Sequence, residues 1–327
     1  MTTNTSIKKG ANEASAFGRN RVIRLAGLVI VFLVLALLPT MTEGYLVTLF
    51  IDILKFIVLT VAWMMFSAPT GYMSLATSAF YGLGFYIAAV FSGTIPFPII
   101  IIIAGALGFV MALVVGALTL RLKGVYFAIF TFGLVLLVSS VVREIERVVT
   151  QTRGRFVEVV STEGVYYAIF IVTVLTLVAA VMLRRSRYGL ALQSIGEYEE
   201  AAAHSGINVV RTKVFTFALS AVFMGMAGAI IATRRTYIDP DIAFNLNTSF
   251  LPVLMAMFGG MANLIGPVIG AAIFTYIGEL LLTRFPDLYM LIFGVVLILA
   301  IVFMPMGIMG LAQQVWLKIR GGRRAPA

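Results

Sequence analysis

The sequence has no cysteine, a single histidine (His204), two tryptophans and little charge: only 12% of its 327 residues are Asp, Glu, Lys or Arg. Without cysteine there is no disulfide, no thiol chemistry and no Cys-based zinc site. One histidine excludes a multi-histidine metal site. No GxxxxGK[ST] stretch occurs, so the chain has no P-loop of its own to hold ATP. The first 20 residues are polar and basic. They lack the short apolar core and small-residue cleavage site of a secretory signal, so they read as an uncleaved cytoplasmic tail.

What the chain does have is apolar character. Hydrophobic residues make up 61% of it and the mean hydropathy is +1.05. Soluble domains are about 45–50% apolar and roughly a quarter charged, which excludes an ordinary soluble protein and a disordered chain alike. About 200 apolar residues, at roughly 20 per spanning helix, are enough for about ten membrane crossings. The expected fold class is therefore all-α: a polytopic integral membrane protein of about ten transmembrane or re-entrant helical segments, with both termini cytoplasmic.

Apolar runs divided by charge and turn residues place these segments at about 25–39, 46–66, 72–92, 97–120, 125–142, 165–183, 214–232, 248–260, 264–283 and 288–304. The run from Phe250 to Leu282 is interrupted by Gly259-Gly260 and Gly266-Pro267. As one helix it would be about 50 Å long at 1.5 Å per residue, far beyond a hydrocarbon core of about 30 Å. Basic residues gather on the cytoplasmic side of short loops, and this decides the split. With the amino terminus inside and two crossings within 250–283, 16 Lys and Arg fall inside and 7 outside. A single crossing there would export Lys318, Arg320, Arg323 and Arg324. The predicted layout is a cytoplasmic tail over 1–24, a transmembrane domain over 25–304 and a cytoplasmic tail over 305–327. Within the domain lie a cytoplasmic loop, 184–213, and an external loop, 143–164. Topology thus accounts for the net charge of +10, and no nucleic-acid partner is needed to explain it.

The 184–213 loop carries a helix signature. Ser194 and Glu197 have the S-x-x-E spacing of a capping box. Glu199 and Glu200 add negative charge near the helix start, where the dipole favours it. Ala201, Ala202 and Ala203 are strong helix formers of little bulk, and Gly206 suits a left-handed terminator. The spacing predicts one short helix of about 11 residues, roughly 16 Å long, within 194–206. An alanine face admits close approach of another protein, with the carboxylates free to pair with its Arg or Lys. A solvated helix without a partner fits the same residues.

Two glycine-rich interruptions are candidates for a solute path, because interrupted segments often mark the translocation site of transporters. One contains Gly71, Ser74, Thr77, Ser78, Gly82 and Gly84; the other contains Gly259, Gly260, Asn263, Gly266 and Pro267. Small residues also line tightly packed helix interfaces, so packing and transport both account for them. Asp52 and Lys55 have the spacing of a same-face pair, read here as structural. His204 has no carboxylate–hydroxyl constellation around it and reads as a surface or interface residue. The mixed charges of 143–163 suit docking of another protein or a salt-bridged helix at the interface.

Several stretches, in order, resemble one transporter family. Glu197–Ile207, EYEEAAAHSGI, looks like the EAA-type loop of ABC importer permeases. Gly71–Tyr86, Leu120–Phe130, Phe217–Ala229, Val253–Ala271 and Pro305–Ile308 are similar to successive blocks of the branched-chain amino-acid permease family (LivH/LivM type), and more to the LivM than to the LivH version. The likeness runs from about residue 45 to 310. Gly196 departs from the family's usual Arg, and Tyr198 from its Asp or Asn. Thr150–Phe156 replaces a T-G-G-x-x-G stretch. The resemblance implies a bacterial inner-membrane permease subunit that is itself no enzyme and holds no cofactor, ATP being bound by two partner ABC subunits. It further implies a second homologous permease (or a second copy of this chain), an external solute-binding protein, and an amino acid or related small polar solute as cargo. Ser194, Glu197, Glu199, Glu200, Ala201, Ala202 and Gly206 would then form the ATPase-coupling helix. An ion-gradient-driven secondary transporter and an ABC permease for a sugar are the competing readings.

Overall fold

The structure, a computed structural model, describes residues 34–42, 44–151, 153–288, 291, 292, 294, 295, 298 and 307–310. The chain divides into two compact units, Met1–Val47 and Thr48–Ala327. In the first, residues 34–41 form a helix (α1) that continues past Pro39, where the sequence predicts an end.

Thereafter the order is α2 (Tyr45–Thr70), α3 (Thr77–Phe91), α4 (Phe97–Thr119), α5 (Val125–Ile145) with a π-helical turn over Glu146–Thr150, β1 (Arg155–Phe156), α6 (Thr162–Arg185), α7 (Arg187–Glu197), α8 (Glu199–His204), α9 (Val209–Ala232), β2 (Tyr237–Ile238), α10 (Pro240–Ala243), α11 (Asn247–Gly259) and α12 (Ile265–Arg284). Among the described residues seven helical stretches are long and apolar enough to cross a membrane, and Thr77–Phe91 is a shorter apolar helix of 15 residues. Eight of the ten expected segments coincide with these helices. The other two, 25–39 and 288–304, and both terminal tails lie wholly or largely outside the described residues.

Local chemistry sets the boundaries. α6 starts where Ser161 Oγ accepts the Gly164 amide, and it carries Glu163 in its first turn and Arg184 and Arg185 in its last, matching the helix dipole at both ends. Asn208 caps α9 by accepting the Arg211 amide, and Asp239 caps α10 by accepting that of Ile242. Two predicted spans are corrected. The 72–92 segment is helical only from Thr77; residues 71–76 are non-helical. The 125–142 segment runs on to Ile145 and through the π turn.

Three helices pack backbone to backbone. A methyl group on Gly84 would collide with the Gly225 carbonyl, one on Gly228 with the Tyr81 carbonyl, and one on Gly108 with the Ala221 carbonyl. Small residues therefore let α3 and α4 lie directly on α9, the usual device of membrane helices, which gain little from hydrophobic burial against one another. Phe66, Phe80, Phe127 and Phe217 fill the space beside this contact with ring centroids 5.1–6.0 Å apart, joining α2, α3, α5 and α9. α11 and α12 form a hairpin whose closeness again depends on glycine. Gly259 and Gly266 face each other's backbone, and Gly307 lies against Phe258 and Gly260.

The connections sort into two faces. Pro69, Gly71, Arg184, the α7 residues and Met261 line one cavity, and Lys123 lies near Glu200. On the opposite side residues 92–97 meet 158–160 and Thr233, and β1 pairs antiparallel with β2, Arg155 opposite Ile238 and Phe156 opposite Tyr237. The first face is the one that the basic-residue distribution predicts to be cytoplasmic. Towards the N-terminal end of α2, Lys55 Nζ lies 2.7 Å from Asp52 Oδ1 and Arg234 Nη1 lies 3.2 Å from Asp52 Oδ2. The Asp52–Lys55 pair is as expected; Arg234, 182 residues away, completes it.

Candidate functional site

The 184–213 loop contains two helices rather than one. Tyr198, at φ −157° and ψ 101°, is extended and separates α7 from α8. Ser194 is no cap: it lies inside α7 and its hydroxyl donates to the Leu190 carbonyl. The cap of α7 is Ser186, which accepts the Gly189 amide, and Glu197 is that helix's last residue. The capping-box expectation fails because the apolar side chains Leu192 and Ile195 are buried and hold the preceding turns helical. Gly206, at φ +85°, follows α8 as expected. Gly196 has its own reason: a β-carbon there would meet the Pro69 carbonyl, so α7 rests directly on the end of α2.

On α8 the side chains divide by face. Ala202 is buried, whereas Tyr198, Glu200, Ala201, Ala203 and His204 are exposed. Glu200 and Lys123 are 3.9 Å apart and both mostly exposed, a pairing of little energetic weight. Glu199 points the other way. Its Oε2 accepts the Tyr72 hydroxyl at 2.7 Å and its Oε1 takes Lys213 Nζ at 2.9 Å. Lys213 Nζ also donates to the Tyr72 oxygen at 3.2 Å and lies 4.4 Å from the centre of its ring. The Lys213 side chain is 1% exposed. Burial by itself raises the Glu199 carboxyl, but the hydrogen bonds from Tyr72 and Lys213 and the charges of Lys213 and Lys123 outweigh it and hold the carboxyl below the ordinary carboxylate range. The Tyr72 hydroxyl is the donor in its contact with Glu199.

Of the carboxylates expected to reach a partner, then, Glu199 is used within the chain and Glu200 faces outward. Tyr72 and Lys213 were not foreseen as a site. The signal in the sequence was a lysine at the head of an apolar run, 14 residues after a glutamate.

Tyr72 belongs to the first interrupted segment, and its neighbours are held from two sides. Trp63 Nε1 of α2 donates to the Ser74 carbonyl at 2.7 Å, and Thr131 Oγ1 of α5 accepts the Leu75 amide at 2.9 Å. The non-helical backbone thus has protein partners, the condition for such backbone at membrane depth. Ser74, Thr77 and Ser78 are buried and Gly71 is exposed. Ser78 is engaged within the protein: its amide donates to Ser249 Oγ and its hydroxyl to the Asn245 carbonyl. Gly82 provides room for the Phe244 ring. In the second interruption Gly259 and Gly260 are buried in the α11–α12 contact, while Asn263 is exposed at the turn between them.

Two cavities flank these elements. One, of about 380 Å³, opens between the ends of α2 and α6, helix α7 and Met261, with Arg184 Nη2 donating to the Ala262 carbonyl at 2.5 Å. The other, of about 370 Å³, lies towards the opposite face and is bordered by Ser139, Ser140, Asn245, Asn247 and the Arg143–Asp241 ion pair.

Membrane-length helices, two of their connections interrupted by non-helical backbone, and a helical loop fastened into the bundle fit a multi-pass helical membrane protein. Residues 45–301 match the family described as branched-chain amino acid transport system / permease component, and the chain belongs to that family as a multi-pass inner-membrane protein. It is 28% identical over 141 residues to the high-affinity branched-chain amino acid transport system permease protein LivM of Salmonella typhimurium, covering 43% of this chain and 32% of that one. Against LivM of Escherichia coli the figures are 29% over 140 residues, 43% and 32%. The L-arabinose ABC transporter permease protein AraH of Azospirillum brasilense is 29% identical over 128 residues, covering 37% of this chain and 38% of its own. The matched stretch thus spans about a third of the length of the LivM relatives. No solved structure matches the chain.

Proposed function

We propose that this chain is the membrane-spanning permease subunit of an ABC importer. It would form part of the path for an amino acid of the branched-chain type or a related small polar solute, and take its energy from two cytoplasmic ATPase subunits. The observation that carries this reading is the α7–α8 pair: a short helical handle between spans α6 and α9, with Tyr198, Glu200, Ala201, Ala203 and His204 facing outward. Alanine at two of those positions lets another protein approach closely, and Glu200 offers a charge for recognition. Having no P-loop, the chain must receive the work of ATP hydrolysis through contact. A second permease, homologous or identical, would complete the path, and an external solute-binding protein would deliver the cargo against the β1–β2 side.

Arabinose and ribose permeases among the similar proteins support a second substrate reading, a sugar. Reconstitution separates the readings. The chain is assembled in vesicles with the ATPase, second-permease and solute-binding subunits that co-purify with it, and uptake of radiolabelled leucine, L-arabinose and ribose is followed. Uptake that requires internal ATP and ignores an imposed ion gradient is expected. Uptake driven by the ion gradient alone would make the chain a secondary transporter instead.

A further inference from the structure

Helix α8 is only six residues long and joins α9 through residues 205–208, of which Ser205, Gly206 and Asn208 are exposed and Gly206 is left-handed. Backbone hydrogen bonds from Gly206 to Ala203 and from Ile207 to Ala202 close that link, and Asn208 caps α9, so α8 is tied to α9. A push on α8 reaches the interrupted segment 71–76, however, only through a further contact. Three observations meet at that point. Glu199 opens α8, Lys213 lies in the first turns of α9, and Tyr72 stands in the interrupted segment 71–76; their three polar groups close a triangle with edges of 2.7, 2.9 and 3.2 Å. The lysine within it is 1% exposed. A buried cation adds little net stability over a well-packed apolar side chain, so stability alone does not account for a lysine here. It does set one geometry, because a charge sequestered from water loses its partners only at a high cost.

Beyond Tyr72 the chain is continuous with Ser74 and Leu75, held by Trp63 and Thr131, and with Ser78, bonded to Asn245 and Ser249 ahead of and within α11. We infer that the Tyr72–Glu199–Lys213 triangle is the brace through which displacement of α8 is delivered to segment 71–76 and the base of α9. Glu199 and Lys213 are positioning residues of transport rather than contacts to the ATPase or to the solute. This rests on the importer reading above.

The test uses the complete reconstituted complex, with partner subunits freed of reactive cysteine; this chain has none of its own, so paired spin labels report only the positions introduced. One pair joins Ser205 on the α8–α9 link to Tyr276 on α12; the other joins Met73 to the same Tyr276. All three positions are exposed. In the otherwise unaltered complex, Mg-ATP with vanadate is expected to change both distances. In K213M and E199Q the first distance still changes and the second no longer does. ATP hydrolysis continues, while ATP consumed per leucine or L-arabinose imported, whichever the unaltered complex accumulates, rises at least about fivefold, within the range of energetic coupling between sites. The exchanged pair E199K/K213E restores the Met73 response. Y72F keeps the ring but loses the bond to Glu199, and gives an intermediate ratio.

If Met73 follows nucleotide in K213M and E199Q as in the unaltered complex, the brace is overturned. Loss of both distance changes together with loss of ATPase binding overturns it too, because the triangle would then serve docking. If the unaltered complex itself shows no nucleotide response and no ATP-driven uptake, it is the importer reading that fails, a result distinct from either of these.

Discussion

At the scale of single residues, position outweighs type. Glycine shows this most directly. Gly84 and Gly228 each meet a backbone carbonyl that cannot yield, whereas a methyl group added at Gly133, on α5, would have nothing within 4 Å. Alanine at Gly84 or Gly228 should lower stability by about 1–3 kcal/mol, as overpacking does. Alanine at Gly133 should be neutral or raise stability by up to about 1 kcal/mol, since it only removes a helix-weakening glycine. Thermal melting in detergent distinguishes the pair, and equal effects would contradict the packing described. Glu199 supplies a pH signature. Its carboxyl is held below the ordinary value of 4.5, so the stability it lends is complete above that pH and is lost as pH falls through the lowered folded-state value. The melting-temperature gap between the unaltered chain and E199Q should therefore be full above the ordinary carboxylate value and narrow as the pH falls below it. A gap independent of pH would mean the charge is not what matters.

At the scale of elements, the interesting places are where helix formation stops. Sequence periodicity and breakers place α4, α6, α9, α11 and α12 within a few residues of where they lie, because Pro, Gly and capping side chains act locally. The same reasoning misjudges 194–206. The S-x-x-E spacing at Ser194 and Glu197 is genuine, but burial of Leu192 and Ile195 keeps the turns before it helical, a tertiary effect no local pattern contains. Nor does a pattern contain the pairing of Glu199 with Lys213 and Tyr72, since the tyrosine is 127 residues distant. Two predictions belong here. Ala202 is the buried alanine of α8; A202L should tilt the helix and reduce transport relative to hydrolysis by about five-fold or more without affecting membrane insertion. Unchanged transport would remove α8 from the coupling machinery. Gly259 against Gly266 sets the α11–α12 distance, so G259V should force the hairpin apart at a cost of about 1–3 kcal/mol, read as a lower melting temperature.

At the scale of the molecule, charge and hydropathy give the class and predict the orientation of the loops without any knowledge of contacts. That inference needs little more than the positions of arginine and lysine relative to apolar runs. Orientation can be tested directly, again because no native cysteine interferes. Single cysteines at Phe156 or Tyr237 should react in intact cells with a membrane-impermeant maleimide. Those at Leu122 or Ser205 should react only after the membrane is opened. The reverse pattern would invert the assignment of faces, and with it the location of α7 and α8.

The glycine contacts among α3, α4 and α9 limit what any working cycle can do. Helices seated carbonyl to glycine have no play along their axes, so these three can only swing together, as a stator block. Slippage must be confined to seams sealed by hydroxyls, such as Ser78 against Asn245 and Ser249, where one hydrogen bond can be exchanged for another. A change of position between α3 and the α11 hairpin would be expected at that seam before any movement within the block.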